Sequence, residues 1–356
     1  AQPSGIIDAA GNPLASGASD SWVVDVTPPT VDIADVTPDP RNTAVSSIGV
    51  QFSEPVTGVS LSQIRLGRSG HYAQLGVLPD GAAGYWKLNE SITSSSAVDS
   101  SGQGRHGVYQ GSPIAATTGS LFESANSSVT FDGVNDYVHV PNHASLNSAS
   151  FSVEAWVLAD PAIQNYASII AKTSSLAWSD GYGLYFLAGE LRFRINNHYA
   201  NYVSFPLPAA ARGTWLHVVG TFDDGQDLLS LYVNGQLASS RTVTATLTQS
   251  SAPLLIGWGA GSNTYWRGAL DEVAVYGRAI TSAEVLRHFQ VGSGAYLTQD
   301  LAVSSSDQTT WSIANLATVT AAAGTYTFAV LAQPSGIIDA AGNPLASGAS
   351  DSWVVD

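Results

Sequence analysis

Along most of the chain, the apolar residues fall in short runs with strand character. "VSSIGVQFSEPV", "LRFRINN", "WLHVVGTF", "LLSLYV" and "GTYTFAVLA" are short β-branched or aromatic runs bounded by Gly, Pro, Asn, Asp and Ser. Such runs predict strands. In "LRFRI" the alternation puts Leu191, Phe193 and Ile195 on one face and Arg192 and Arg194 on the other. Asn234-Gly235 separates "LSLYV" from "QLASS" and predicts a tight hairpin, because both residues tolerate positive φ. Asp224-Gly225 predicts a similar turn one strand earlier. One segment has helical character: "TSAEVLRHF", where Thr281 and Glu284 have capping-box spacing. Short strands with frequent turns predict an all-β protein built from sandwiches.

A second pattern has a far longer period. The segment "AQPSGIIDAAGNPLASGASDSWVVD" stands at residues 1–25 and again, unchanged, at 332–356, an offset of 331. Identity over this length points to recent duplication and to slightly more than one period of a tandem array. The copy at 332–356 is expected to supply the closing strand or strands of a sandwich, with "DSWVVD" last. Trp353 and Val355 would then share one face and Val354 take the other. Residues 1–25 would be the tail of a preceding repeat in one polypeptide or, in an assembly of separate subunits, a strand donated to a neighbour; the first is favoured because the chain already carries its own copy at 332–356. Pro28 and Pro29 stiffen the join that follows.

Charge divides the chain in the same places. Residues 1–64 with 295–356 hold twelve acidic side chains and one basic one, Arg41, whereas 65–294 holds sixteen acidic and twelve basic. A basic footprint for nucleic acid is missing. The acidic ends suit solubility in salt or divalent-cation binding. The sequence contains no Cys, which removes disulfides, thiolate metal sites and Cys nucleophiles together. No apolar run reaches the length of a membrane-spanning helix.

Two family resemblances follow from motifs. Residues 26–66, with "PPT", "FSEPVTG" and "VSLSQIRL", resemble the opening half of bacterial immunoglobulin-like repeats of giant surface proteins. Residues 309–346 resemble the closing half. Between them, "AGYWKLNE", "AVDSSGQGRHGVY", "VTFDGVNDYVHVP", "SFSVEAWV", "TWLHVVGTFD", "LYVNGQL" and "GALDEVAVYGRAITSAEV" stand in the order seen in laminin G-like, concanavalin A-like jelly rolls. The expected fold is thus an immunoglobulin-like β-sandwich interrupted by a jelly roll. Residues 26–69 and 295–356 would form the first body, 70–294 the second, with 1–25 outside both. In the jelly roll Phe131, Val138, Val140, Trp156, Val218, Leu231, Val273 and Val275 are expected to face inward.

Catalytic readings find little support. Gly102, Gly104 and Gly107 spell a G-x-G-x-x-G, but in a polar loop and not at a strand-to-helix junction. Glycoside cleavage needs two carboxylates flanking one bond. Glu154 and Asp160 are six residues apart, and the neighbours Asp271 and Glu272 should take opposite faces of a strand. His217 reads as a strand residue. No enzyme is expected.

Calcium needs six to eight oxygens, which Asp-Gly-Ser loops present at low steric cost. Asp99, Asp132 and Asp271 are the candidate ligands, with Asp271 expected on the same face as Val273 and Val275. The resemblance to laminin G-like domains implies calcium without fixing each ligand. The competing reading is that these Asp residues cap turns. Asp25 could hold a further calcium at the linker with Asp32. For glycans, Tyr199, Tyr202, Tyr265 and Trp266 are placed near loop tips, where aromatic rings stack on sugars. The expected role is that of a non-enzymatic structural or adhesive repeat of an extracellular or cell-surface array, its partners being neighbouring copies. The alternative is a lectin-like module displayed on such a stalk. No nucleic acid and no membrane span are expected.

Overall fold

The computed structural model describes residues 5–91, 95–115, 118–123, 126–174, 178–197, 199–261, 263–333 and 336–356. Among them, two eight-stranded antiparallel sheets face each other in the larger body. One sheet runs Gln236–Thr242, Leu228–Val233, Trp215–Asp223, Phe151–Ala159, Arg267–Tyr276, Val129–Asp132 and Ile114–Ala115, with Ala82–Trp86 also paired to Arg267–Tyr276. The other runs Tyr202–Pro206, Glu190–Ile195, Tyr182–Leu187, Ser168–Lys172, Leu254–Ile256, Tyr137–Val140, Gly107–Gln110 and Ser96–Ala97. Their facing sides share one core that includes Phe131, Val138, Val140, Phe193, Val218, Leu231, Val273 and Val275. Gly220 lies directly against the Phe193 ring of the opposite sheet, where any Cβ would clash. The sheets approach there as closely as only glycine allows.

Local signals explain several elements. Asn234 and Gly235, at φ 50° and 78°, turn Leu228–Val233 into Gln236–Thr242. The α-helix Ser282–Gly292 starts on a reciprocal cap: Thr281 Oγ1 accepts from the Glu284 amide, and Glu284 Oε2 accepts from the Thr281 amide at 2.6 Å. The helix packs on the outer face of the first sheet. Trp156 faces that helix instead of the core, lying 6.1 Å from Phe289 and 6.3 Å from Tyr72. This corrects the inward assignment. Val153, Ala155 and Val157 hold the inner positions, so strand parity turns Trp156 outward.

The smaller body takes strands from both ends of the chain. Val31–Ile33, Ser47–Phe52, Thr310–Ala314 and Ala302–Ser305 form one sheet, and Ala349–Val355, Gly324–Val330 and Ile64–Arg68 the other. One core joins Ile33, Val50, Phe52, Leu66, Ile313, Phe328, Trp353 and Val355. Trp353 stacks on Tyr326, its cross-strand partner, at 5.6 Å. The Leu66 amide donates to the Gly294 carbonyl at 2.9 Å, so the chain leaves and re-enters this body at adjacent points.

The apolar anchors of the two identical segments differ in environment. In the second copy Trp353 is 1% exposed and Val355 3%; in the first, Trp22 is 80% exposed and Val24 72%. Yet both copies build the same turn. Asp8 Oδ1 accepts from the Ala10 and Asn12 amides, as Asp339 Oδ1 does from those of Ala341 and Asn343. Each turn is closed by a bridge, Ile7 to Pro13 and Ile338 to Pro344.

Candidate functional site

The strand Arg267–Tyr276 carries the densest chemistry. Its pairing with Phe151–Ala159 slips: Trp156 faces Asp271 and Glu154 faces Ala274, leaving Glu272 and Val273 opposite Ala155 alone. Glu272 takes the extra turn at φ 53°. This is a β-bulge, and it breaks the alternation. Asp271 therefore does not share a face with Val273 and Val275, as simple parity predicts. Nor do Asp271 and Glu272 point apart. Both carboxylates are buried in the same region.

Asp271 Oδ2 accepts from the Ser120 amide at 2.8 Å and the Ser120 hydroxyl at 3.0 Å. Its Oδ1 is buried without a hydrogen-bond partner among the described residues. The Asn126 amide oxygen lies alongside, for a Cβ on Gly119 would collide with it and sit 2.7 Å from Asp271 Oδ2. Glu272 is held by the Tyr85 hydroxyl. Burial pushes the Asp271 carboxyl up to about 7, and burial followed by the Asp271 charge pushes Glu272 well above the carboxylate range. The Asn126 amide oxygen already accepts from the Leu121 amide at 2.9 Å and its side chain hydrogen-bonds Asp271, so Asn126 holds Asp271 in place, and the unpartnered Asp271 Oδ1 is the oxygen left for a hard cation. Asp271, with Glu272 beside it, would hold it.

Asp99 and Asp132 do not join this group. Asp99 receives the amides of Tyr85, Ser101 and Arg105 and the Ser101 hydroxyl at 2.6–3.0 Å. Burial raises its pKa, but these donors outweigh burial and lower it. Asp132 caps the turn at Val134 and Asn135. Asp25 does meet other acids, though not Asp32. One oxygen each of Asp25, Glu54 and Asp339 lies within 4.8 Å of the others. Asp32 stands in Val31–Ile33 opposite Gln51, on the exposed side.

A buried polar network, invisible in the sequence, lies under the helix. Glu154 accepts from Tyr72 and Tyr276 at 2.6 Å each, and contacts His217 Nε2 at 2.7 Å and His288 Nδ1 at 3.0 Å. His288 Nε2 reaches Asp80 at 2.8 Å, and Arg287 holds the same carboxylate at 2.6 Å. Five separate segments supply these groups, so spacing along the chain carries no signal for them. Glu154 is completely buried, whereas Asp160 sits at the exposed strand end with Arg267 at 3.2 Å. They do not flank a common groove.

The aromatic candidates disperse. Tyr199 is exposed; Tyr202 lies under the Arg192 guanidinium at 4.5 Å. Tyr265 stacks on Trp258 at 5.4 Å beside Tyr137, a half-exposed trio. Trp266 is wholly buried in the jelly-roll core and cannot stack on a sugar, a correction set by strand parity: its neighbour Tyr265 takes the outer side. Elsewhere a cleft of about 460 Å³ is lined by Glu90, Ser95, Tyr109, Ser112 and Ile114. Gly102 and Gly104 lie in a loop that enters the strand Gly107–Gln110 and no helix, so the glycine triplet binds no dinucleotide in the helix-terminus manner.

The larger body is a concanavalin A-like jelly roll within an all-β chain. Residues 132–286 match the family model of the concanavalin A-like lectin/glucanases superfamily. No curated protein matches the chain. Among solved structures, the binding domain of Paraclostridial Mosquitocidal Protein 1 is similar at 15% identity and TM-score 0.49, covering 63% of this chain and 54% of that one. Domain 4 of AbnA, an extracellular arabinanase from Geobacillus stearothermophilus solved with arabinotriose, is similar at 17% identity and TM-score 0.46, covering 59% and 98%. The binding domain of Botulinum Neurotoxin DC, in complex with SialylT, is similar at 14% identity and TM-score 0.46, covering 60% and 52%. The chain spans about half the length of the first and third of these. Among the described residues, no helix is long and apolar enough to cross a membrane.

Proposed function

We propose that the chain is a non-enzymatic adhesive repeat of an extracellular or cell-surface array, with a period of 331 residues. Each repeat is an immunoglobulin-like sandwich of residues 26–69 and 295–356 that displays the jelly roll of 70–294. One observation carries this reading: Trp353 and Val355 fill the sandwich core while the identical Trp22 and Val24 lie in solvent. On this reading the first copy would close a sandwich of its own, as the identical second copy does. Deleting 1–25 should leave the melting temperature of the chain within a degree or so. Deleting 332–356 should abolish the smaller body's transition. Equal effects would contradict the reading.

A carbohydrate-binding role for the displayed jelly roll is favoured by the cleft at Glu90 and Tyr109. It combines a carboxylate, hydroxyls and an apolar wall, the set that fixes a sugar ring. The full chain on a glycan array should bind a defined glycan class, and Tyr109→Ala should lose it; an empty array leaves the structural role alone standing.

Calcium is the cation proposed at Asp271 and Glu272, as a stabiliser of the jelly roll. Chelator should lower the melting temperature of the wild type and added calcium restore it, with Asp271→Asn insensitive to both. A wild type that ignores chelator sinks the site.

A further inference from the structure

We propose that residues 5–25 are a donatable closing strand, which fits the smaller sandwich of a second copy in the place held there by 336–356. This rests on the repeat reading and adds a binding surface, its partner and its polarity.

Fit follows from identity. Every contact that 336–356 makes is available to the same side chains in 5–25. Leu14, Trp22 and Val24 are exposed, and their counterparts Leu345, Trp353 and Val355 are core residues. The donor is also partly pre-shaped. The Asp8 turn matches the Asp339 turn amide for amide, and Gly11 at φ 85° matches Gly342 at φ 90°. A strand whose turn is already formed loses less conformational freedom on docking. The main-chain bonds it would gain are those that Ala349–Val355 makes along Gly324–Val330.

Geometry forbids the chain from using its own first copy. The Ala346 amide donates to the Pro29 carbonyl at 3.0 Å, and the Asp356 amide to the Arg41 carbonyl at 2.8 Å. Between them Val36 reaches Asp351 and Val354 reaches Asp39. Residues 29–41 therefore run beside 346–356 in the same direction. Were 18–24 to occupy the closing position, Asp25 would stand where Asp356 stands, with Pro29 still beside Ala346. The seven residues of that strand span about 23 Å. Residues 26–29 can bridge only about 14 Å. Closure in cis fails on reach, so donation runs from one copy into another. The donor site and acceptor site lie on different surfaces, a head-to-tail contact that propagates from copy to copy as a linear chain or closes into a ring. In the intact chain each acceptor is filled by its own tethered strand, whose effective concentration is in the millimolar range. Donation therefore needs that strand to be released.

The test keeps the whole chain and cuts it once, after folding, at a protease site inserted after Ala332. The resident strand is then held only by its contacts. A labelled peptide of residues 1–25 should enter the cut chain at one per chain, and the uncut chain at least ten-fold more slowly. The Trp22→Asp peptide should not enter. Once the resident fragment is exchanged away without added peptide, the cut chain should form concentration-dependent head-to-tail oligomers. Placing Trp22→Asp in the chain should keep it monomeric while peptide still enters. A cut chain that refuses the wild-type peptide, or that loses its fragment and remains a folded monomer, overturns the proposal. Either failure leaves the repeat reading intact, because the effects of the two deletions do not depend on exchange between chains.

Discussion

At the scale of single residues, the helix is locked to the jelly roll through His288. Burial alone would lower its pKa, but the carboxylates of Glu154 and Asp80 on either side override burial and lift it to about 9. Tyr72 and Tyr276 flank the imidazole, Arg287 shares Asp80, and burial keeps the neighbouring His217 below its ordinary value. The folded chain thus binds the His288 proton more tightly than the unfolded chain, whose reference value is 6.5. That stabilisation is complete below pH 6.5 and is lost as pH rises through 9. It corresponds to about 3 kcal/mol. Urea midpoints should show His288→Gln far below wild type at pH 6 and much closer to it at pH 9. A deficit that does not change with pH would mean His288 packs as a neutral ring.

At the scale of elements, alternation was readable wherever strands run straight. Leu191, Phe193 and Ile195 take the inner face as their spacing predicts, and the Asn234-Gly235 turn and the Thr281 cap stand where their chemistry calls for them. Parity failed where a strand slips. The bulge at Glu272 is specified by pairing with Phe151–Ala159, more than a hundred residues away, and no local pattern encodes it. Asp271 was legible as a buried acid but not as the companion of Glu272 and Asn126. Trp156 shows a different limit. In "FSVEAWVLA" Ser152 and Glu154 share its parity while Phe151, Val153, Ala155 and Val157 take the other, so alternation places Trp156 away from the core and only its size and apolarity argued for an inward position. The Glu154 network escaped altogether, since its donors converge only after five segments fold together.

At the scale of the whole molecule, residues 336–356 form the closing wall of one sandwich, while the identical residues 5–25 are a solvent-exposed tail. Pro29 and Asp356 mark opposite ends of that sandwich, because residues 29–41 travel its length beside the last strand. Successive repeats joined this way would extend end to end, each with its jelly roll inserted where Leu66 meets Gly294. The most direct measurement is limited proteolysis of a two-period chain, in which residues 26–356 follow directly after 1–356 and the middle segment serves both periods. Only the first 25 residues should be clipped, while the middle and last copies, each buried in a sandwich, survive intact. Cleavage of the middle copy as fast as the first would contradict the account.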